Sequence, residues 1–558
     1  MPSNGSTQHE AANAGSCGAA LGAQKEVILA LARQLGPAGA VRLIETHISW
    51  VLLAGAVAYK FKKALRLDFL DYTTLVSRQF YCQEELRLNC RLAPDIYLAV
   101  VSITGSRDTP SIDGGGAPIE YAVKMRAFGQ AALWSSRLRH DLMTGREIDQ
   151  LAHCLAGFHD LAPCAVRPSQ WGTSAAVARR ARDDLSAIDS MLASTADRQA
   201  LPPLVAWQRE QLRKLTPLFA RRKALGWVRE CHGDLHCGNI VTIKGQVAVF
   251  DCIEFNDEMR WIDVMHDFAF VWMDLQFCGR NDWAARLLNQ YLQLSGAYAG
   301  LSVLPFYRIQ RALVRCKVAL LRAGQVRRDS TQDEGQEALG QAAKYLAFCA
   351  KKIERGASAL IITHGFSGSG KSTLCDSLVE LLGAVQIRSD LERKRLHGLA
   401  MGAKAAAAPG AGIYDAKGNR AVYGRLSRLA RHISGAGLPV IIDAAFLQRS
   451  QRRRFQELAH ELGLPFFILD VHVNVATLRT RVAARAQLGQ DASDAGLVVL
   501  EHQLQNHEAL CDEELPYVIV ADTEHTLDKA QLSVLLRPVT QALQSQSEPL
   551  PQDQGREI

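Results

Sequence analysis

Nine consecutive residues constrain this chain more than any others: Gly365-Phe366-Ser367-Gly368-Ser369-Gly370-Lys371-Ser372-Thr373. They match the pattern G-x-x-x-x-G-K-[ST]. Residues 360–363 before them read as a buried strand, and residues 372–382 after them read as a helix. Strand, glycine-rich loop and helix in that order make a phosphate cradle, and a chance glycine-rich turn would not come with both flanking elements. The glycines let backbone N–H groups wrap phosphate oxygens without Cβ clashes. The helix N-terminus adds the positive end of its dipole. Lys371 reaches the β- and γ-phosphates of a nucleotide, and the Ser372 hydroxyl is offered to Mg²⁺. ATP and Mg²⁺ are therefore the expected ligands of this segment.

Further apolar strands at 439–442 and 466–471 alternate with helical stretches. Such alternation gives a parallel sheet covered on both faces, an α/β domain expected over 357–540. Ligands of these sheets sit at the carboxyl ends of the strands. Asp390, in Ile387-Arg388-Ser389-Asp390-Leu391-Glu392-Arg393, follows the second strand there. It is the candidate to accept the proton of an attacking hydroxyl, or else the N-cap of a solvated basic helix. Val440-Ile441-Ile442-Asp443 ends in the acidic partner expected for Mg²⁺. Arg449, Arg452, Arg453 and Arg454 form one basic cluster; Arg479, Arg481 and Arg485, followed by Asp491-Ala492-Ser493-Asp494-Ala495, form another. Arg449, Arg481 and Arg485 are candidates for a lid closing on the triphosphate, the alternative being salt-bridged surface helices. Taken together, GFSGSGKST, RSDLERKR, IIDAAF and the arginine clusters resemble the P-loop kinases of small metabolites and nucleic-acid ends. Gluconate kinase, chloramphenicol phosphotransferase, zeta toxin and polynucleotide 5′-kinase belong to that group. The resemblance implies Asp390 as base beside Lys371, and Arg393 as a contact to a substrate phosphate.

A second signal lies in Cys231-His232-Gly233-Asp234-Leu235-His236-Cys237-Gly238-Asn239, followed by Val249-Phe250-Asp251. Kinase-like phosphoryl transfer needs an Asp at the acceptor hydroxyl, an Asn five residues on that binds metal, and a strand-end Asp that meets the phosphates through Mg²⁺. Asp234, Asn239 and Asp251 have that order and spacing. A zinc reading of Cys231, His232, His236 and Cys237 fits no common ligand spacing and leaves Gly238 and Asn239 without a role. The motif resembles that of the aminoglycoside phosphotransferase and choline kinase family. The resemblance implies Asp234 as the catalytic residue and Asn239 and Asp251 as Mg²⁺ ligands, with His232 and His236 holding the loop.

A kinase fold also needs a strand Lys on the phosphates, paired with a helix Glu. Residues 44–62 read as two antiparallel strands turning at Gly55, 74–92 as a helix stopped by Pro94, and 97–104 and 120–128 as further strands. Tyr121-Ala122-Val123-Lys124-Met125 looks like the Lys strand but follows the Glu-bearing helix. Val57-Ala58-Tyr59-Lys60 precedes it. The order therefore selects Lys60 or Lys62, with Glu84 or Glu85 as partner, and puts the strand of Met125 beside adenine. No glycine-rich loop joins the first strands, and residues 45–49 would have to serve. The acidic run after Asp251 (Glu254, Asn256, Asp257, Glu258) is either a site for a cationic group or a charged loop.

The chain is thus expected to hold an α+β bilobal protein-kinase-like domain (25–350) followed by the α/β P-loop domain with its parallel sheet covered by helices. That arrangement resembles bacterial fusions of an aminoglycoside-phosphotransferase-like domain with a P-loop domain. Residues 1–24 and 541–558 are expected to be disordered tails, and 327–337 is the best linker candidate, with a charged helix as the alternative. Thirteen scattered cysteines and no secretion signal point to reduced thiols in a cytoplasm. The net charge of +7 over 558 residues permits a nucleic-acid partner without arguing for one. No stretch is long and apolar enough for a membrane span. The expectation is an ATP-dependent, bifunctional phosphotransferase acting on a hydroxyl of a small metabolite. The alternatives are 5′-hydroxyl nucleic-acid phosphorylation by the P-loop domain and a nucleotide-sensing N-terminal half. Oligomeric state is left open.

Overall fold

Gly55, at φ 60°, turns β2 (Ser49–Ala54) back on β3 (Val57–Lys62), where a left-handed residue fits the twist of a tight hairpin. In the computed structural model the described residues are 6–37, 39–67, 70–165, 169–192, 198–329, 332–354, 356–400, 415–488 and 496–546. The chain divides into two compact units, residues 1–180 with 216–274, and residues 181–215 with 275–558.

The first unit opens with β1 (Val41–Glu45), paired to β2, and carries a small hairpin, β4 (Arg66–Leu67) and β5 (Leu70–Asp71). With β6 (Tyr97–Gly105), β7 (Pro110–Ile112) and β8 (Glu120–Arg126), the main sheet runs β1-β2-β3-β8-β6-β7, all antiparallel. Period-two alternation gives its two faces different partners. Ala58, Val123 and Met125 face helix Leu75–Asn89, which starts at the Thr74 cap and packs Cys82 and Leu86 onto them. Trp50, Leu52, Tyr59 and Phe61 face the other way, onto Val27, Ile28 and Leu31.

Those three residues belong to helix Ser6–Leu35, which corrects the expected disordered tail of 1–24 over residues 6–24; residues 1–5 lie outside the described residues. The Ala- and Gly-rich composition hides a stripe at Gln24, Val27, Ile28 and Leu31 whose spacing is helical. Gln24 is buried and donates to the Lys62 carbonyl and to Glu120, and accepts from the Ala64 N–H.

The rest of this unit is mostly helical, with two short ribbons. Strand β9 (Val228–Glu230) pairs with β12 (Trp261–Asp263), and β10 (Ile240–Ile243) pairs with β11 (Gln246–Val249). Trp261–Asp263 runs directly into the helix that begins at Val264.

The second unit has a five-stranded parallel sheet in the order β14-β15-β13-β16-β17: β13 (Leu360–His364), β14 (Val385–Arg388), β15 (Val440–Asp443), β16 (Phe466–His472) and β17 (Val518–Asp522). β13, β14 and β15 are nearly wholly buried, as a sheet covered on both faces requires. Helix Asn281–Ser295 packs on this unit, with Ala285 in one apolar cluster with Leu374, Cys375 and Leu378 of the loop-following helix Lys371–Leu382. The 327–337 segment lies largely in helices Leu304–Asp329 and Gln332–Lys352, its charged-helix alternative. The expected tail from 541 is also corrected in part. Helix Arg537–Ser545 continues through it, and the Gln546 side chain bonds both the N–H and the carbonyl of Ser358. No described helix is long and apolar enough to cross a membrane.

Candidate active sites

In the first unit, Asp234 is held by its own loop. Asn239 Nδ2 donates to the Asp234 carbonyl at 2.9 Å and to its Oδ2 at 3.0 Å. With Nδ2 so engaged, Oδ1 is the acceptor atom that Asn239 could offer to a cation. His232 is buried; its Nδ1 accepts the Asp234 N–H, so its Nε2–H donates to the Phe250 carbonyl at 2.9 Å. Burial holds the His232 pKa below the usual histidine value, which keeps the neutral ring those two bonds require. His236 caps the turn through the Gly238 N–H. Both histidines thus act on loop geometry, and the zinc quartet does not assemble.

Two acids that the sequence reading missed anchor this loop. Asp267 accepts the N–H groups of His232 (3.0 Å) and Gly233 (2.8 Å), and Asp274 accepts that of Cys237 (2.9 Å). Both are buried on helix Val264–Phe277. Two acids seven residues apart, on one face of an otherwise apolar helix, were the available signal. His159, Cys231 and Asp267 could geometrically meet a metal ion, but Asp267 is already a hydrogen-bond node for the loop. Gly233, at φ 89°, sits where a Cβ would be 2.9 Å from the Met259 carbonyl oxygen.

Register separates the candidate lysines. Lys60 pairs with Val123 across β3 and β8, whereas Lys124 pairs with Tyr59 and so faces the opposite side of the sheet. Lys60 Nζ reaches Glu85 at 2.8 Å and Asp251 at 2.5 Å. Burial opposes its charge, but the Asp251 and Glu85 carboxylates outweigh it and hold its pKa well above the usual lysine value. Lys62 is fully buried between Glu85 and Glu254, and Tyr72 donates to Glu254 at 2.6 Å. Glu84 is paired with Arg87 instead. Asp251 stands at φ 66°, a left-handed conformation unfavourable for Asp, of the kind that clusters at ligand sites. Met125 lies with Ala58 and Val123, and the Phe128 and Phe250 rings meet edge-on nearby. Residues 45–49 close tightly, with Thr46 and Ser49 bonded to each other. Asn239 and Asp251 offer hard oxygen donors, which suit Mg²⁺. The acids of this run are already paired: Glu254 is buried on Lys62, while Asp257 pairs with Arg260 and Glu258 with Arg179 at partly exposed positions.

In the second unit, Gly370 (φ 86°) leads directly into helix Lys371–Leu382. At Gly368 a Cβ would come within 2.8 Å of Val482, so the loop approaches its neighbours as only glycine can. Gly365 begins the loop, and the Ser367 N–H is taken by Gln503. Lys371 Nζ lies over the loop, donating to the Phe366 carbonyl at 2.6 Å, with Ser369 Oγ at 3.4 Å. Burial lowers its pKa, against the pull of Asp443 and Asp390. Ser372 Oγ, preceding Thr373, donates to Asp443 Oδ2 at 2.6 Å. A hydroxyl and a carboxylate again suit Mg²⁺.

The arginines divide. Arg481 lies against the loop, donating to the Thr523 carbonyl at 2.7 Å, while Thr523 Oγ1 donates to the Ser369 carbonyl. Arg485 acts electrostatically on Lys371. Arg449, grouped with them from sequence, is taken up at the surface by Glu513, and Arg479 by Glu501, which is the salt-bridge alternative. Arg452 is buried on Glu514. Arg393 is buried within helix Ser389–Leu396, whose first turn carries Asp390. Residues 491–495 lie outside the described residues.

Comparison with known proteins finds two matching regions. Residues 123–304 match the phosphotransferase enzyme family and residues 360–510 match an AAA domain. Among solved structures, a choline/ethanolamine kinase family protein from Mesorhizobium loti (12% identity, TM-score 0.34) covers 56% of this chain and 94% of its own. A gluconokinase from Sinorhizobium meliloti (20% identity, TM-score 0.23) covers 35% and 95%. Proteins of Mycobacterium tuberculosis and Mycobacterium bovis, described as uncharacterized, are 30% identical over 449 residues, 80% of this chain and 87% of theirs. The chain belongs to the same family as these mycobacterial proteins, and it joins a kinase-like phosphotransferase domain to a P-loop kinase-like domain.

Proposed function

We propose that the chain is a bifunctional kinase, each half moving the γ-phosphoryl of Mg-ATP to a hydroxyl of a small metabolite. The observation that carries it is that Lys60 and Glu85 meet Asp251, while the adjacent Phe250 is hydrogen-bonded to Asn239 and, through His232, to the Asp234 loop. A nucleotide sensor would need the first group and not a positioned base.

In this reading Asp234 accepts the proton of the acceptor hydroxyl as that oxygen bonds to the γ-phosphorus. The bond from the γ-phosphorus to the β–γ bridging oxygen breaks, and ADP leaves. Lys60, oriented by Glu85, neutralises the phosphates, while Asn239 and Asp251 would hold Mg²⁺. In the second unit Lys371 performs the phosphate role, Ser372 and Asp443 would hold Mg²⁺, and Asp390 is the base. Arg481 and Arg485 are the cover on the phosphate side. Bound Mg²⁺ supplies charge neutralisation of the phosphoryl oxygens. Catalysis is positioning and electrostatics, without a covalent enzyme intermediate. Nucleic-acid end phosphorylation is less well supported, because Arg449 and Arg479 are held in ion pairs and Arg393 is buried. The ion pairs that already occupy the acidic run likewise favour a neutral acceptor over a cationic one in the first unit.

The test is transfer of labelled γ-phosphate into a metabolite extract and a 5′-hydroxyl oligonucleotide, with wild type, Lys371→Ala and Asp234→Ala side by side. Each variant is expected to lose a different labelled metabolite. Full transfer by Asp234→Ala would make the first unit a binding module and sink the bifunctional reading. Label on the oligonucleotide, lost in Lys371→Ala, would redirect the second unit to nucleic-acid ends.

A further inference from the structure

Behind the P-loop lies a chain of buried polar side chains that the motif does not contain. Gln386, on β14, is fully buried. Its Nε2 donates to Asp443 Oδ2 at 2.9 Å, the same oxygen that accepts the Ser372 hydroxyl at 2.6 Å. Its Oε1 accepts from Gln293 Nε2 at 3.1 Å, and its backbone N–H donates to Asn289 Oδ1 at 2.9 Å. Asn289 and Gln293 are buried on helix Asn281–Ser295, which belongs to the same compact unit as the P-loop. The Arg395 guanidinium at 2.5 Å from the Gln293 carbonyl and the Arg286–Glu380 pair at 2.6 Å fix that helix further.

The amide cannot be turned round. A carboxylate only accepts, so Gln386 must present its NH₂ to Asp443, and its carbonyl must then find a donor, which Gln293 supplies. The result is directional. Asp443 Oδ2 is pinned by Gln386 and receives the Ser372 O–H, which turns the Ser372 lone pairs away from Asp443. Asp443 Oδ1 is left for the metal side. Removing Gln386 frees the carboxylate to rotate in a buried site, where orientation of ligand groups by the groups behind them matters most.

We infer that Gln386, braced by Asn289 and Gln293, is a positioning residue for the Ser372–Asp443 pair and sets the Mg²⁺ affinity of the P-loop site. The inference rests on the nucleotide reading of that site given above. It adds a residue that touches neither nucleotide nor metal, and it makes a helix outside the P-loop motif part of the metal site.

The experiment uses the full chain carrying Asp251→Asn to silence the other nucleotide site. Binding of a fluorescent ATP analogue is followed as Mg²⁺ is titrated, and melting temperature is read on the same samples. Gln386→Leu, which keeps the bulk and removes both polar atoms, is expected to raise the Mg²⁺ concentration for half-maximal binding by about 10- to 100-fold. Gln293→Leu leaves Gln386 in place and is expected to move it in the same direction by less. A purely structural role would lower the melting temperature and leave the Mg²⁺ midpoint where it was, and that outcome overturns the inference. Should Gln386→Leu fail to fold, an unmoved midpoint in Gln293→Leu overturns it equally. Mg²⁺-dependent binding that is absent before any change at 386, or that survives Lys371→Ala, would instead sink the nucleotide reading itself, and this inference with it.

Discussion

Lys60 and Lys62 differ by one pleat and by almost everything else. They lie on the same face of β3, since alternate residues of a strand do, and so nothing in the sequence could separate them. Depth separates them. Lys60 meets Asp251, whose side chain is 41% exposed, while Lys62 is sealed between Glu85 and Glu254. Loss of Lys62 takes the bridging ammonium from two buried carboxylates, Glu85 and Glu254; breaking such a buried pair costs about 3–5 kcal/mol. Lys62→Met is therefore expected to lower the denaturant midpoint strongly. Lys60→Met should lower phosphoryl transfer by roughly 100-fold, in line with loss of a charged hydrogen bond to phosphate of about 1.5–3 kcal/mol, and move the midpoint less. Guanidinium titration with label transfer on both variants decides it. The reverse pattern would exchange the two roles. The Glu side was equally hidden, because Glu84 and Glu85 are neighbours and only the Arg87 pairing shows which one turns away.

At the scale of elements, strand order and motif position were legible and packing partners were not. The P-loop, its sheet, and the Lys60 strand, Glu85 helix and Met125 strand of the first unit follow from spacing, turn residues and chain order. Helix Asn281–Ser295 shows the limit. Periodicity reports that a helix has a buried face, not what covers it. Its face is covered by the P-loop helix through Ala285, and its polar residues end on Gln386. A fragment of residues 357–546, cut where the sequence places the domain boundary, lacks this helix. It loses the two hydrogen bonds to Gln386, of about 1 kcal/mol each, besides the Arg395 and Arg286 contacts. It also loses apolar burial of about 1.5–3 kcal/mol for each large side chain uncovered. At about 2–4 °C per kcal/mol for a domain of this size, residues 357–546 should melt roughly 10 °C below residues 275–546. Equal melting temperatures would show the helix to be dispensable. The N-terminal helix was hidden for another reason: its small-residue composition masked a short apolar stripe that the sheet completes.

At the scale of the whole molecule, the two units carry separate sets of candidate phosphate- and metal-binding groups: Lys60 with Asn239 and Asp251 in one, Lys371 with Ser372 and Asp443 in the other. Each set lies within one unit. On the proposed reading each set serves its own Mg-ATP, so the chain should bind two nucleotides. Titration calorimetry with a non-hydrolysable ATP analogue and Mg²⁺ measures this directly. Lys371→Ala removes an ammonium from the phosphates, a loss of about 1.5–3 kcal/mol, which is roughly 10- to 150-fold in affinity. That is enough to take a micromolar site out of the calorimetric window, leaving one nucleotide per chain. Asp251→Asn should remove the other, and the double substitution both. A chelator should weaken both sites together, since each rests on hard oxygen donors. One nucleotide per chain in the unsubstituted protein, abolished by Lys371→Ala and untouched by Asp251→Asn, would mean that the first unit has kept the residues of a kinase without the binding. Two sites lost separately would place the choice of acceptor, not the use of ATP, as what distinguishes the halves.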